Sequence, residues 1–290
     1  MKFGLAGFPL GQLGTTVDSE PHETVTRIAR AADSYGFDFI CAQDHPIAPR
    51  AWAEERGGAA AWFDPFVLLS WAAAVTTRVR LVSDVLVLPY RSPFVVAKFG
   101  STLDVMSQGR FVFGLGVGYL EAEFRALGAE FDERGAWTDE AIELIRRCWT
   151  EDWVTHSGRF FSADDVAVSP QPYDGPPPIW IGGNSMRALR RAVEFGDGWT
   201  PFRGSPDALG AAMQLARDEF GLARHLDVAV PIRTVHAESS EEIDEAAVLA
   251  RVDALAEAGA THCRVDFRGP TLDGYVRAME RFAERIIGRR

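Results

Sequence analysis

The chain has 290 residues, 47% of them hydrophobic, and a formal net charge of −11. That is ample material for a core. The acidic balance argues against nucleic acid as a partner but not against an anionic cofactor held by backbone amides. No apolar run reaches the roughly 20 residues that a membrane span needs.

The chain runs directly from Lys2 to Phe8 as an apolar strand, so no signal peptide is expected. Ser19 can cap a helix to Tyr35, with Val25, Ile28, Ala29 and Ala32 inward and Gly36 past its end. Phe37 to Ala42 is the next strand and ends at Gln43-Asp44-His45. A long loop rich in Ala, Gly and Trp follows, of the kind that forms a lid or a pocket wall. Asp64-Pro65 starts a helix to about Val75. Val79 to Leu86 reads as a buried parallel strand. Ser92 and Pro93 start a helix with Val95, Phe99, Leu103 and Met106 as its apolar stripe. Arg110 to Leu115 is a strand that opens into Gly116-Val117-Gly118.

Glu121 to Phe131 and Ala136 to Trp149 read as helices. Residues 153–178 then break the rhythm, with a turn at His156 to Arg159 and five prolines near the end. They read as an excursion holding a small hairpin. Ile179 to Ile181, Gly198 to Pro201, Val228 to His236 and Thr261 to Phe267 resume the strands. The helices between them run from Ser185, from Ser205 or Asp207 to Phe220, and from Glu241 to Ala258, and Leu272 to Ile286 closes the chain. Eight strand–helix units predict an α/β fold, a (β/α)8 TIM barrel with one insertion, as a single domain over 1–290.

In such a barrel, chemistry sits at the C-terminal ends of the strands. His45 follows a strand there, where an imidazole can trade a proton with a ligand. It can equally be a structural histidine bonded to a neighbouring loop. Asp44 could orient it, although adjacent strand residues point apart. Asp84, after Ser83, is a charge in an apolar strand and needs a partner such as Arg91 or a purpose. Gly182-Gly183-Asn184-Ser185 precedes a helix whose first amides would favour a phosphate. Gly116-Val117-Gly118 lacks the third glycine of a dinucleotide fingerprint. Trp52, Trp62, Phe63, Trp199 and Phe202 could together wall a pocket for a flat ring or substrate. Cys41, Cys148 and Cys263 are scattered. Their spacing gives no zinc site and predicts reduced thiols in a cytoplasmic protein.

With these pieces placed, the chain resembles the bacterial luciferase-like superfamily, and within it the branch that uses the deazaflavin F420. The resemblance lies in GFDFICAQDH at 36–45, RVRLVSDVLVLPYRSPFVVAK at 78–98, TLDVMSQGRFVFGLGVGYLEAEFRALG at 102–128 and PPPIWIGGNSMRALRRAVEFGDGW at 176–199. It implies cofactor binding in the barrel mouth. A bulge with a non-proline cis peptide is implied at about Ser83-Asp84, and Asp84 departs from the smaller residues common there. The resemblance further implies a cofactor wall at Gly116 to Tyr119, a phosphate site at Gly182, Gly183, Asn184 and Ser185, and His45 with Asp44 at the reaction centre. It also implies a homodimer. The expected activity is F420-dependent oxidoreduction, a hydride moving between cofactor and a small organic substrate, with an F420 reductase as supplier. The rivals are an FMN-dependent monooxygenase fed by a flavin reductase, and a non-catalytic flavin-binding barrel.

Overall fold

The computed structural model describes residues 1–8, 20–55, 62–236, 244–268 and 271–289. Its elements in order are β1 (Lys2–Leu5), α1 (Pro21–Ser34), β2 (Phe39–Ala42), α2 (Arg50–Glu54), α3 (Pro65–Val75), β3 (Arg80–Ser83), β4 (Leu86–Val87), α4 (Pro93–Ser107) and β5 (Phe111–Gly116). There follow α5 (Glu121–Leu127), α6 (Arg134–Thr150), β6 (Val154–Ser157), β7 (Ser162–Val166), β8 (Ile179–Gly182), α7 (Met186–Phe195) and β9 (Gly198–Thr200). The chain ends with α8 (Pro206–Asp218), β10 (Asp227–His236), α9 (Glu245–Glu257), β11 (His262–Arg268) and α10 (Leu272–Arg285). The expected cap Ser19 and the expected helix start at Glu241 lie outside the described residues.

The strands pair in parallel in the order β3-β2-β1-β11-β10-β9-β8-β5, and β3 and β5 close the ring. β4 continues β3, so the barrel has eight strands, as the strand–helix rhythm predicts. Between β3 and β4 sits one extra residue: Val82 pairs with Val112 and Leu86 with Leu115. The backbone bulges there, with a cis peptide at Asp84–Val85. That is one residue beyond the expected position. Gly114 makes room for the bulge, because a Cβ there would lie 1.9 Å from the Ser83 carbonyl oxygen.

Inside the barrel, Phe39, Cys41, Val82, Val112, Trp180 and Ala229 form an apolar plug. His262 packs edge-on against Phe39 and Trp180 at its lower end. Burial pushes the His262 pKa down to about 4, so this imidazole is neutral at physiological pH. The larger core lies between strands and helices.

Helix α4 corrects the sequence reading. Its inward side is Val96, Ala97, Gly100 and Leu103. Of the expected stripe, only Leu103 is buried, whereas Val95, Phe99 and Met106 are exposed. Gly100 lets Trp149 of α6 press against the helix, and the Trp149 indole donates to the Ala97 carbonyl at 2.9 Å. The apolar exposure continues on α3, where Val67 and Trp71 are 71% and 47% exposed.

The 153–178 excursion does contain a hairpin, β6 with β7. Glu140 of α6 pins it. Its carboxylate accepts from the backbone amides of Arg159, Phe160 and Phe161 at 3.0–3.2 Å and meets His156 Nε2 at 3.1 Å. These bonds hold the Glu140 carboxyl below its ordinary pKa despite the opposing effect of desolvation. Among the described residues, no helix is long and apolar enough to cross a membrane, and no His/Cys/Asp/Glu group could hold a metal ion. All three cysteines are buried thiols outside any disulfide.

Candidate active site

All barrel strands are parallel, so Asp44, Asp84, Gly116 and Gly183 come to one end of the barrel. The loop after β2 brings in Asp44 and His45, whose side chains diverge. Asp44 is buried, and its Oδ2 accepts from the Val87 amide at 2.9 Å and Arg91 Nη1 at 2.6 Å. Its Oδ1 accepts from Arg91 Nη2 at 2.9 Å. Arg91 also reaches Asp64, the cap of α3, at 3.2 Å. Asp44 is thus a brace joining three loops and does not orient His45.

Glu123 does that instead. His45 Nδ1 lies 3.0 Å from Glu123 Oε1, and the Tyr90 hydroxyl donates to Glu123 Oε2 at 2.7 Å. Glu123 stands in the first turn of α5, its side chain 2% exposed. The His45 ring packs against Trp52 and Trp62, with centroids at 4.7 and 4.8 Å, and Tyr119 stands edge-on at 6.4 Å. The imidazole therefore has one nitrogen on a buried carboxylate and its body among aromatic rings.

The bulge forms the floor of the mouth. Ser83 and Asp84 turn into the protein: Ser83 Oγ donates to the Gly114 carbonyl at 2.8 Å. Asp84 accepts from Thr200 Oγ1 at 2.9 Å and pairs with Arg264, which also donates to the Pro201 carbonyl. The partner of Asp84 is Arg264, not Arg91. Burial and the Asp84 charge push the neighbouring Cys41 thiol well up. Val85, which sequence reading passed over, faces the glycines. A Cβ on Gly116 or Gly182 would come within 2.7 or 2.6 Å of its methyls. Both glycines are needed for close packing, because Val85 occupies the space where their side chains would stand.

Beside this floor, Ser185 caps α7 by accepting the Ala188 amide at 3.2 Å. The Met186 and Arg187 amides, ahead of it in the first turn, have no intrahelical acceptors. Asn184 ties the loop to its neighbour, donating to the Arg203 carbonyl at 2.7 Å and accepting from the Phe202 amide at 2.9 Å. Gly183 adopts φ 127°, which excludes most side chains. Of the loop after β5, Gly118 has φ 78° and packs under Phe124 and Val87, and Val117 is partly buried.

The expected aromatic wall divides. Trp62 meets His45 edge-on, while Phe63 and Phe202 are exposed on the rim. Trp199 belongs to the outer core and donates to the Gly183 carbonyl at 2.8 Å, so it braces the glycine loop from behind and does not line the mouth.

The sequence profile of the luciferase-like monooxygenase family matches residues 1–282. An uncharacterised protein of Mycobacterium tuberculosis is 31% identical over 268 residues, 89% of this chain and 88% of that protein. The F420-dependent glucose-6-phosphate dehydrogenase of Intrasporangium calvum is 34% identical over 214 residues, 70% of this chain and 60% of that one. Among solved structures, the monooxygenase RslO1 from Streptomyces bottropensis superposes with a TM-score of 0.80 at 24% identity, covering 100% of this chain and 99% of that one. On the extent of the profile match and the likeness to the mycobacterial protein, this chain belongs to the luciferase-like monooxygenase family.

Proposed function

We propose that this chain is an oxidoreductase that uses F420 to move a hydride to or from a small organic substrate. The observation that carries the reading is His45, held by a buried carboxylate at the mouth, beside the Val85 bulge packed on Gly116 and Gly182 and a capped helix N-terminus. These residues fit a flat ring with a phosphate tail. Val85, Gly116 and Gly182 would support the ring, and the turn from Gly183 to Ser185 with the Met186 and Arg187 amides would hold the phosphate. The bound cofactor supplies the hydride chemistry. His45 Nε2 holds or moves the proton at the substrate atom being reduced or oxidised. Trp52 and Trp62 keep water from that atom. The likeness to a relative named as F420-dependent supports this cofactor, and an F420 reductase would recharge it. FMN is the second reading, favoured by a structural neighbour, a monooxygenase component of Pseudomonas putida, that was solved in complex with FMN. In that case a flavin reductase supplies reduced FMN, and oxygen is consumed.

Titrating apo-protein separately with F420 and FMN tests the choice, with F420 expected to bind more tightly. The phosphate site has its own test in Ser185→Asp. Aspartate caps a helix as well as serine does, so melting temperature should hold. Its charge would face the phosphate, and loss of one charge-assisted bond predicts roughly 10- to 100-fold weaker binding. Unchanged affinity in this variant defeats the assignment.

We also propose that a second copy of the chain covers α3 and α4. The segment Pro65–Val75 carries no charged residue on any side, and a helix apolar all round is normally buried. With Val67, Trp71, Val95 and Phe99 it presents one apolar face on two adjacent helices. Such a face suits a two-fold contact with itself. Light scattering should give a dimer at micromolar concentration, and Phe99→Glu should give a monomer. A wild-type monomer removes the dimer and leaves the chemistry intact.

A further inference from the structure

Glu123 is an expensive residue to keep where it is. Burying a carboxylate is costly unless its partners are well placed, and an apolar residue of similar volume is often as stable or more so. The surroundings would accept one. Phe124 is fully buried next door, and the Tyr90 ring lies against it at 4.8 Å. Stability alone does not call for this acid.

Its geometry gives it another use. The two donors reach it from two different loops, Tyr90 from beyond β4 and His45 from beyond β2. Each occupies one carboxylate oxygen. An ionised carboxylate only accepts, so the nitrogen facing it must carry the proton. Asp44, the acid adjacent in sequence, is unavailable because Arg91 and the Val87 amide occupy both its oxygens.

We infer that Glu123 is a positioning residue that fixes the tautomer of His45. It holds the proton on Nδ1 and so leaves the Nε2 lone pair free for the ligand. The proton exchanged with substrate enters and leaves at Nε2, while the Nδ1 proton stays on the ring. When Nε2 takes a proton, the imidazolium charge faces the Glu123 carboxylate. Tyr90 occupies the second oxygen and keeps that carboxylate from rotating away. The inference rests on His45 acting at the mouth, as proposed above, but the tautomer itself can be read without turnover.

The experiment is ¹⁵N NMR of the histidine rings in the apo-protein at a pH where His45 is neutral, with His45→Gln used to assign its signals. The wild type should show Nδ1 protonated and Nε2 bare. Glu123→Leu should lose that bias and shift the ring toward the Nε2-protonated form. Tyr90→Phe should retain it. With cofactor and a reducible substrate, Glu123→Leu should lower the single-turnover rate about 10²-fold or more with cofactor affinity unchanged. A wild-type ring protonated on Nε2 overturns the inference whether or not Glu123→Leu folds. So does a bare Nε2 that survives in folded Glu123→Leu. No turnover with any substrate, together with the expected tautomer, would count against the functional reading and leave the role of Glu123 standing.

Discussion

Replacing His45 with alanine is expected to slow single-turnover reaction with the loaded enzyme by roughly 10²–10⁴-fold, the range for losing a positioned acid–base group. Cofactor affinity should change little. The groups proposed to hold the cofactor, Val85 with its glycines and the start of α7, come from other strands. A histidine with only a structural role predicts the opposite pattern. Its loss would free Glu123, buried with Tyr90 as its remaining donor, lower the melting temperature and disturb cofactor binding, yet leave turnover per occupied site near normal. Bound cofactor and transfer rate must therefore be measured on the same preparation. Full occupancy with an unchanged rate sinks the catalytic role.

The second large effect should appear in stability. Asp84 and Arg264 form an ion pair inside the barrel, with side chains 3% and 6% exposed. Arg264→Met removes one charge and strands the other. Breaking a buried pair in this way costs about 3–5 kcal/mol. Thr200 would remain as a neutral donor to Asp84, which places the expected loss toward the lower end. A chain of this size should then melt roughly 10 °C lower. The double variant Asp84→Leu/Arg264→Met removes both charges and should recover most of the loss. A single variant as stable as the wild type would show that the pair contributes nothing. A double variant no better than the single would show that the layer depends on shape and not on charge.

The strand–helix rhythm was legible because the barrel strands are buried on both sides and most of the helices have a capped or glycine-marked end. The excursion was legible from its prolines and broken periodicity. On α4 the helical period was read correctly and its direction was not. That helix is apolar on two faces, at Val96 and Leu103 inward and at Val95 and Phe99 outward, and periodicity alone cannot rank them. The site was legible where one residue type sits at a strand end, as with His45 and the glycines. It was not legible where a side chain matters through a distant partner. His45 and Glu123 are 78 positions apart, and Asp84 and Arg264 are 180 apart. Glu123 also lies two residues from Glu121, whose side chain is 63% exposed, and sequence position alone does not separate the buried acid from the solvated one. The signal that could have found it is its place beside the core residue Phe124. Arg264 lies inside the last barrel strand, a buried charge that needs a partner as Asp84 does.

The way Glu140 holds the excursion has a consequence for how this protein can change over generations. The clamp reads main-chain N–H groups at 159–161, so it is indifferent to which side chains those residues carry. Substitutions at 159–161 leave the clamp in place provided none is proline, which has no N–H to offer, whereas Gly158 is fixed because a Cβ there would run into the Glu140 carboxylate. The exposed positions of β7 can drift in composition while Glu140, the buried Val154 and Phe161 against Trp137 keep the hairpin moored. Novelty can therefore collect on this flank of the barrel, and the barrel that carries the chemistry need not adjust to it.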